Sequence, residues 1–127
     1  MDDYANNIDI DIVEYDELVI VAVAGEVDLC SSSLFEESLV VAGASDPTAI
    51  IVDLDGVSFM DLAGVHVLLQ FAVSEGDRDR LSFTPGSPQV RRLLDLTGVR
   101  RYLSFVRAPA PGRNGARPTA RLHLTGP

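Results

Sequence analysis

The stretch Ile50–Leu69 constrains the fold more than any other. Ile50-Ile51-Val52-Asp53-Leu54 is a short apolar run, β-branched at its start and bounded by Pro47 and Gly56. That pattern predicts a buried strand. Asp55 to Gly64 carries acidic and Gly breakers and predicts a loop. From Val65 an apolar run continues to Glu75-Gly76. It is too long for an ordinary strand and predicts a mostly buried helix. The unit is strand, loop, helix, with Asp61 and Gly64 at the helix entrance. Backbone N–H groups without intrahelical partners point out of such an entrance, and the helix dipole favours negative charge there.

The flanking segments follow the same grammar. Ile8-Asp9-Ile10-Asp11-Ile12-Val13-Glu14 alternates apolar and acidic residues, a strand with one solvated face. After an Asp16-Glu17 turn, Leu18 to Ala24 is apolar on both faces and predicts a central strand, paired with the first as a hairpin. Gly25-Glu26-Val27-Asp28 ends it. Leu34 to Ala42 reads as an amphipathic helix, with Ser33 and Glu36 as a capping box and Gly43 as its stop. Within the central helix, His66, Gln70 and Ser74 form a polar stripe at spacings of four. Glu75 to Arg80 is a charged turn and Leu81-Ser82-Phe83-Thr84 a short strand. Ser87-Pro88 starts a helix that buries Val90, Leu93, Leu94 and Thr97 and stops at Gly98. Tyr102–Val106 is expected to be the last strand. The order β-β-α-β-α-β-α-β predicts an α/β fold, a mixed, mostly parallel sheet packed by helices. From Ala108 the chain turns rich in Pro, Gly and Arg and reads as a mobile tail, with Arg121–Thr125 as a weak candidate for a small extra strand.

The chain has 127 residues, 46% of them apolar, which suits one domain with its own core. No apolar run reaches a membrane span, the acidic N-terminus lacks a signal-peptide pattern, and the single cysteine, Cys30, has no partner for a disulfide. A cytoplasmic location is expected. The net charge of −9 is unevenly placed: residues 1–77 hold 17 acidic residues and no Lys or Arg, while all ten Arg follow. An acidic body repels phosphate, so no direct nucleic-acid contact is expected.

The chemistry-bearing residues give no catalytic constellation. Dinucleotide and P-loop fingerprints are absent, and the chain has no Lys. His66 and His123 stand on separate elements without ligand spacing, and no metal or cofactor is implied. Asp53, Asp55 and Asp61 suggest either a hard-cation site or a general base. The better reading is structural: Asp55 shapes a turn and Asp61 caps the helix. Ser58, His66 and Asp61 are too close in sequence for a triad to be argued. A binding or signalling module fits better than an enzyme.

Three segments carry a family resemblance: Gly25-Glu26-Val27-Asp28, then Asp53 to Val65, then Pro88 to Val99. Together they resemble a STAS domain, as in bacterial anti-sigma factor antagonists, over about residues 8–106. The family writes the middle one D-L-x-x-V-x-F-x-D-[ST]-[ST]-G-[LIV]. The resemblance implies a STAS domain over 1–107 with about five strands and three or four helices, followed by a flexible tail over 108–127. It implies a non-enzymatic transcription regulator that binds an anti-sigma factor, often a serine-protein kinase, so that a sigma factor is released. Its partner-binding residues would be Asp28, Ser31, Ser32, Ser33, Ser58, Met60, Asp61, Leu62, Ala63, Gly64 and His66. In such partner switching the kinase phosphorylates the serine or threonine before the motif Gly, adding about −1.5 to −2 charge. Here that position is Ala63, preceded by Leu62, and neither has a hydroxyl. A docking surface without its usual phosphoacceptor is expected, with Ser58 a weak substitute. The short C-terminal helix common in the family is replaced by the Pro/Gly/Arg segment. The alternative is a ligand-sensing STAS module that holds a nucleotide or lipid at the same entrance. No membrane partner is implied, and a homodimer is left open.

Overall fold

The computed structural model describes residues 7–75, 79–107 and 116–124. Five strands form one mixed sheet: β1 (Ile8–Tyr15), β2 (Leu18–Val27), β3 (Ala49–Met60), β4 (Leu81–Phe83) and β5 (Ala116–Leu124), in the order β4-β3-β2-β1-β5. Three α-helices accompany it: α1 (Ser32–Ala44), α2 (Leu62–Glu75) and α3 (Pro88–Thr97), with a 3-10 turn at Val99–Tyr102. β2 pairs in parallel with β3 and β3 with β4, while β1 runs antiparallel to both β2 and β5. The mixed α/β sheet is the expected one, but it is not mostly parallel: among the described residues two pairings are parallel and two antiparallel, because β5 joins the antiparallel side of β1.

Alternation sets the core. Ile8, Ile10 and Ile12 on β1, Val19, Val21 and Val23 on β2, and Ile50, Val52 and Leu54 on β3 are all buried. Phe35 and Leu39 from α1, and Val67 and Leu68 from α2, close over them. Each such side chain contributes on the order of 1.5–3 kcal/mol when fully withdrawn from water. α2 is less buried than its apolar run suggests, since Val73 lies 71% exposed. The expected polar stripe of His66, Gln70 and Ser74 is indeed exposed.

Several boundaries differ from the sequence reading. The largest difference is at β3, which does not stop at Leu54 but runs on to Met60. Asp55 and Gly56 look like breakers only locally. β2 pairs with this segment throughout, and two register shifts, between Ala22 and Ala24 and between Gly25 and Glu26, absorb its irregularity as bulges. α2 consequently begins at Leu62 rather than Val65. α1 begins two residues earlier than a Ser33 cap requires, with Ser31 at its N-cap, so the Ser33–Glu36 capping box does not form. Gly43 lies inside α1, and Ser45 caps it.

α3 starts and stops as expected. Ser87 Oγ accepts from the Val90 N–H at 3.4 Å, Pro88 follows, and Gly98 adopts φ +78° at the C-cap. Thr97, expected to be buried, is exposed and donates its hydroxyl to Leu93 and Leu94 carbonyls.

The C-terminal half differs most. Tyr102–Val106 is not a strand. The 3-10 turn uses its first residue, and a single parallel bridge joins Phe83 to Phe105. The fifth strand is instead Ala116–Leu124, within the segment read as a tail and overlapping the small extra strand expected at Arg121–Thr125. It pairs with β1 from Ile8↔Leu124 to Tyr15↔Ala116, and Ala120 and Leu122 pack on the core. Its Pro118 sits opposite Val13, beside a register shift, on an edge strand where a missing N–H is tolerated. Residues 108–115 and 125–127 of the expected tail, and 76–78 of the expected charged turn, lie outside the described residues.

Candidate protein-docking site

The register of the two central parallel strands builds the site. Val27 pairs with Met60 at the last position of both strands. The next residues, Asp28 and Asp61, therefore leave the sheet side by side, and the Asp61 N–H donates to the Val27 carbonyl at 3.1 Å. The site lies beyond the carboxyl ends of parallel strands, where open α/β sheets usually place their binding residues.

Each aspartate is held by its own loop. Asp28 Oδ1 accepts from the Cys30 N–H at 3.0 Å and the Ser31 N–H at 3.2 Å, a side-chain-closed turn. Ser31 Oγ donates to the Glu26 carbonyl at 2.8 Å and accepts from the Asp28 N–H at 3.0 Å. This hydroxyl therefore ties the β2–α1 loop and makes no cap bond to α1. Asp61 caps α2 as expected: its Oδ1 accepts from the Ala63 N–H at 2.9 Å. Ser58 Oγ donates to the Gly25 carbonyl at 3.2 Å, a further link between β3 and β2.

The expected residues divide into surface and support. Ser31 and Met60 are buried, as is Gly64, so they hold the site from beneath and offer a partner no surface. Ser33, Ser58, Leu62 and His66 are exposed, and Asp28, Ser32, Asp61 and Ala63 are half-buried. Two exposed apolar residues that the sequence reading did not single out join them. Leu29 is 79% exposed and Phe59 43%, beside Leu62 at 65%. No periodicity marks Leu29 or Phe59; only their place next to the two aspartates does. The surface is thus apolar side chains set around two fixed carboxylates.

The other candidate residues are not assembled for chemistry. Asp53 lies on β3, where its Oδ1 accepts from the Thr84 hydroxyl at 3.2 Å and the Asp55 N–H at 3.0 Å, well upstream of Asp61. Among the described residues no three of His, Cys, Asp and Glu gather as a metal set would. Ser58 and Asp61 spend their side-chain bonds on backbone groups. His66, with Gln70 and Ser74, lines a shallow groove between α1 and α2. Cys30 is exposed with a free thiol. The side chain of His123 lies outside what is described. No helix among the described residues is long and apolar enough to cross a membrane.

The model of the STAS domain matches residues 9–110. The chain belongs to the STAS domain family. The anti-sigma-F factor antagonist RsfB of Mycobacterium tuberculosis is 23% identical over 94 residues, spanning 74% of this chain and 77% of that protein. An anti-sigma-B factor antagonist of Staphylococcus epidermidis is 28% identical over 95 residues, spanning 74% of this chain and 88% of that one. The crystal structure of an anti-sigma factor antagonist from Mycobacterium paratuberculosis superposes with a TM-score of 0.71 at 25% identity, covering 82% of this chain and 87% of that chain. The superposed antagonist shares this fold, and the loops that carry Asp28 and Asp61 fall inside the range matched by the STAS domain.

Proposed function

We propose that this STAS domain is an anti-sigma factor antagonist whose docking surface is the pair of loops after β2 and β3. It acts by binding, without catalysis, in the bacterial cytoplasm. The observation that carries the reading is the Val27↔Met60 register, which fixes Asp28 and Asp61 side by side beneath exposed Leu29, Phe59 and Leu62. Apolar side chains around a pair of carboxylates suit a partner surface with a basic centre and an apolar surround. The partner is an anti-sigma factor of the serine-kinase type, and its capture releases a sigma factor. A phosphate-bearing ligand at the same entrance would face Asp28 and Asp61. It would meet no Lys or Arg from β2, α1, β3 or α2, so the nucleotide or lipid reading is the weaker one.

Ala63 occupies the second helical position of α2, directly beneath the Asp61 carboxylate. With no hydroxyl there, the antagonist stays competent to bind and is controlled by its amount. Restoring the hydroxyl restores the switch, because a phosphoryl group beside Asp28 and Asp61 adds like charge to a close-packed contact. The test is a pull-down from the native cytoplasm with the wild type and Ala63→Ser. The wild type is expected to capture an anti-sigma factor and remain unmodified in the presence of ATP. Ala63→Ser is expected to gain one phosphoryl group by mass and then release its partner. Failure to bind any anti-sigma factor encoded in the same genome would overturn the proposal.

A further inference from the structure

The outer edge of β3 is served by a strand only at its beginning. β4 is three residues long and pairs with Ile50, Ile51 and Val52. Beyond that, side chains take over the ladder. Thr84, fully buried, accepts the Leu54 N–H on its Oγ1 at 2.7 Å. At the far end, Gln89 accepts the Met60 N–H on Oε1 and donates from Nε2 to the Met60 carbonyl, both at 3.1 Å. A primary amide has one acceptor and two donors, so it can meet a residue's N–H and C=O together as a neighbouring strand would. Met60 faces β4's side of the sheet, whereas Asp61 turns its N–H to β2.

Two tethers therefore meet at consecutive residues. β2 holds Asp61 from one side and α3, through Gln89, holds Met60 from the other. Met60 is also the floor on which α2 begins: its buried side chain packs directly under Gly64. We infer that Gln89 is a positioning residue, which fixes the entrance of α2 and with it the docking surface by clamping the backbone of Met60 from α3. The inference rests on the proposed docking role for its functional consequence, but its structural half is testable without any partner.

The experiment uses the full chain with Gln89→Leu and Gln89→Glu. Leu keeps the size and helix propensity of Gln while removing both bonds. Glu keeps an acceptor for the Met60 N–H and loses the donor to its carbonyl. Amide hydrogen exchange is followed by NMR, with affinity for the captured anti-sigma factor measured in parallel. In Gln89→Leu, exchange at Met60, Ala63 and Gly64 is expected to quicken about tenfold, as suits the loss of two such bonds. Exchange at Val21 and Val52 is expected to stay unchanged, and affinity to fall about tenfold through faster dissociation. Gln89→Glu is expected to lie between Leu and wild type. Unchanged exchange at Ala63 and Gly64, or equal quickening at Val21 and Val52, would show that Gln89 does not position the entrance. Should the wild type bind no anti-sigma factor, the docking reading falls and the exchange result alone decides the clamp. If it binds and Gln89→Leu binds equally well, the inference is overturned.

Discussion

A methyl group added at position 64 would lie 2.7 Å from Met60 Cγ and 2.8 Å from Val27 Cγ1. Both neighbours are buried core side chains, so neither can swing into solvent. Gly64 is therefore needed for close approach of α2 to the ends of β2 and β3, and its place in the family motif has a steric cause. Gly64→Ala is expected to cost about 1–3 kcal/mol, the usual penalty of overpacking a filled core. Urea denaturation should show a lower midpoint at an unchanged slope; an unchanged midpoint would contradict the packing. Asp61 was legible in the sequence because a helix cap is a local demand; Gly64 was legible as part of the helix entrance, but its close contact with Val27, on another strand, was not. Ser31 was not legible in its actual role. Its hydroxyl bonds Glu26, five residues back across a loop, and no spacing rule marks that pair.

Among the elements, the junction of α1, α2 and β4 depends on Arg80. This buried guanidinium donates to Glu75 at the end of α2, to Asp46 after α1, and to the Pro47 carbonyl that precedes β3. The Arg80 backbone carbonyl accepts from Ile50, the start of the β3–β4 pairing. The hydrogen bond to Glu75 raises the affinity of Arg80 for its proton, outweighing the desolvation that lowers it. A cation held more firmly in the folded chain contributes its full stability below its ordinary titration range and loses it only above that range. On this group's account, stability should be flat through neutral pH. Arg80→Ala should cost about 3–5 kcal/mol, because it leaves the Glu75 carboxylate, 10% exposed, without its partner. Asp46→Asn should cost little, since that carboxylate is 86% exposed and Asn tolerates the positive φ of 54° there. Equal losses from the two substitutions in thermal or urea denaturation would refute this ranking.

For the whole molecule, the sheet is completed by its last strand. β5 covers the outer edge of β1, and Arg121 lies across from Asp11 with an N–O distance of 2.7 Å. Ending the chain after residue 107 should remove on the order of 2 kcal/mol of apolar burial by Ala120 and Leu122. It should also bare the backbone edge of β1, inviting edge-to-edge association. Size exclusion with equilibrium denaturation checks both; a truncated chain that is monomeric and as stable as the full one would refute them. The strands and helices of the first hundred residues could be read directly. Alternation in β1, the two-faced apolar run of β2, and the Ser87-Pro88 and Gly98 punctuation of α3 each act within a few residues. The family motif likewise marked the two loops that follow β2 and β3. What the sequence alone determined is therefore the set of locally specified elements and the absence of a hydroxyl at position 63. What only the tertiary structure decided is where β3 ends, which segment is the fifth strand, that Leu29 and Phe59 are exposed, and that Gln89 holds Met60. Each of these depends on a backbone or side-chain partner distant in sequence: β2 keeps Asp55–Met60 extended, β1 recruits Ala116–Leu124, and α3 supplies the amide that closes the edge of β3. Buried and edge backbone groups must find partners, and the chain's return path, not its local composition, determines which partners are within reach.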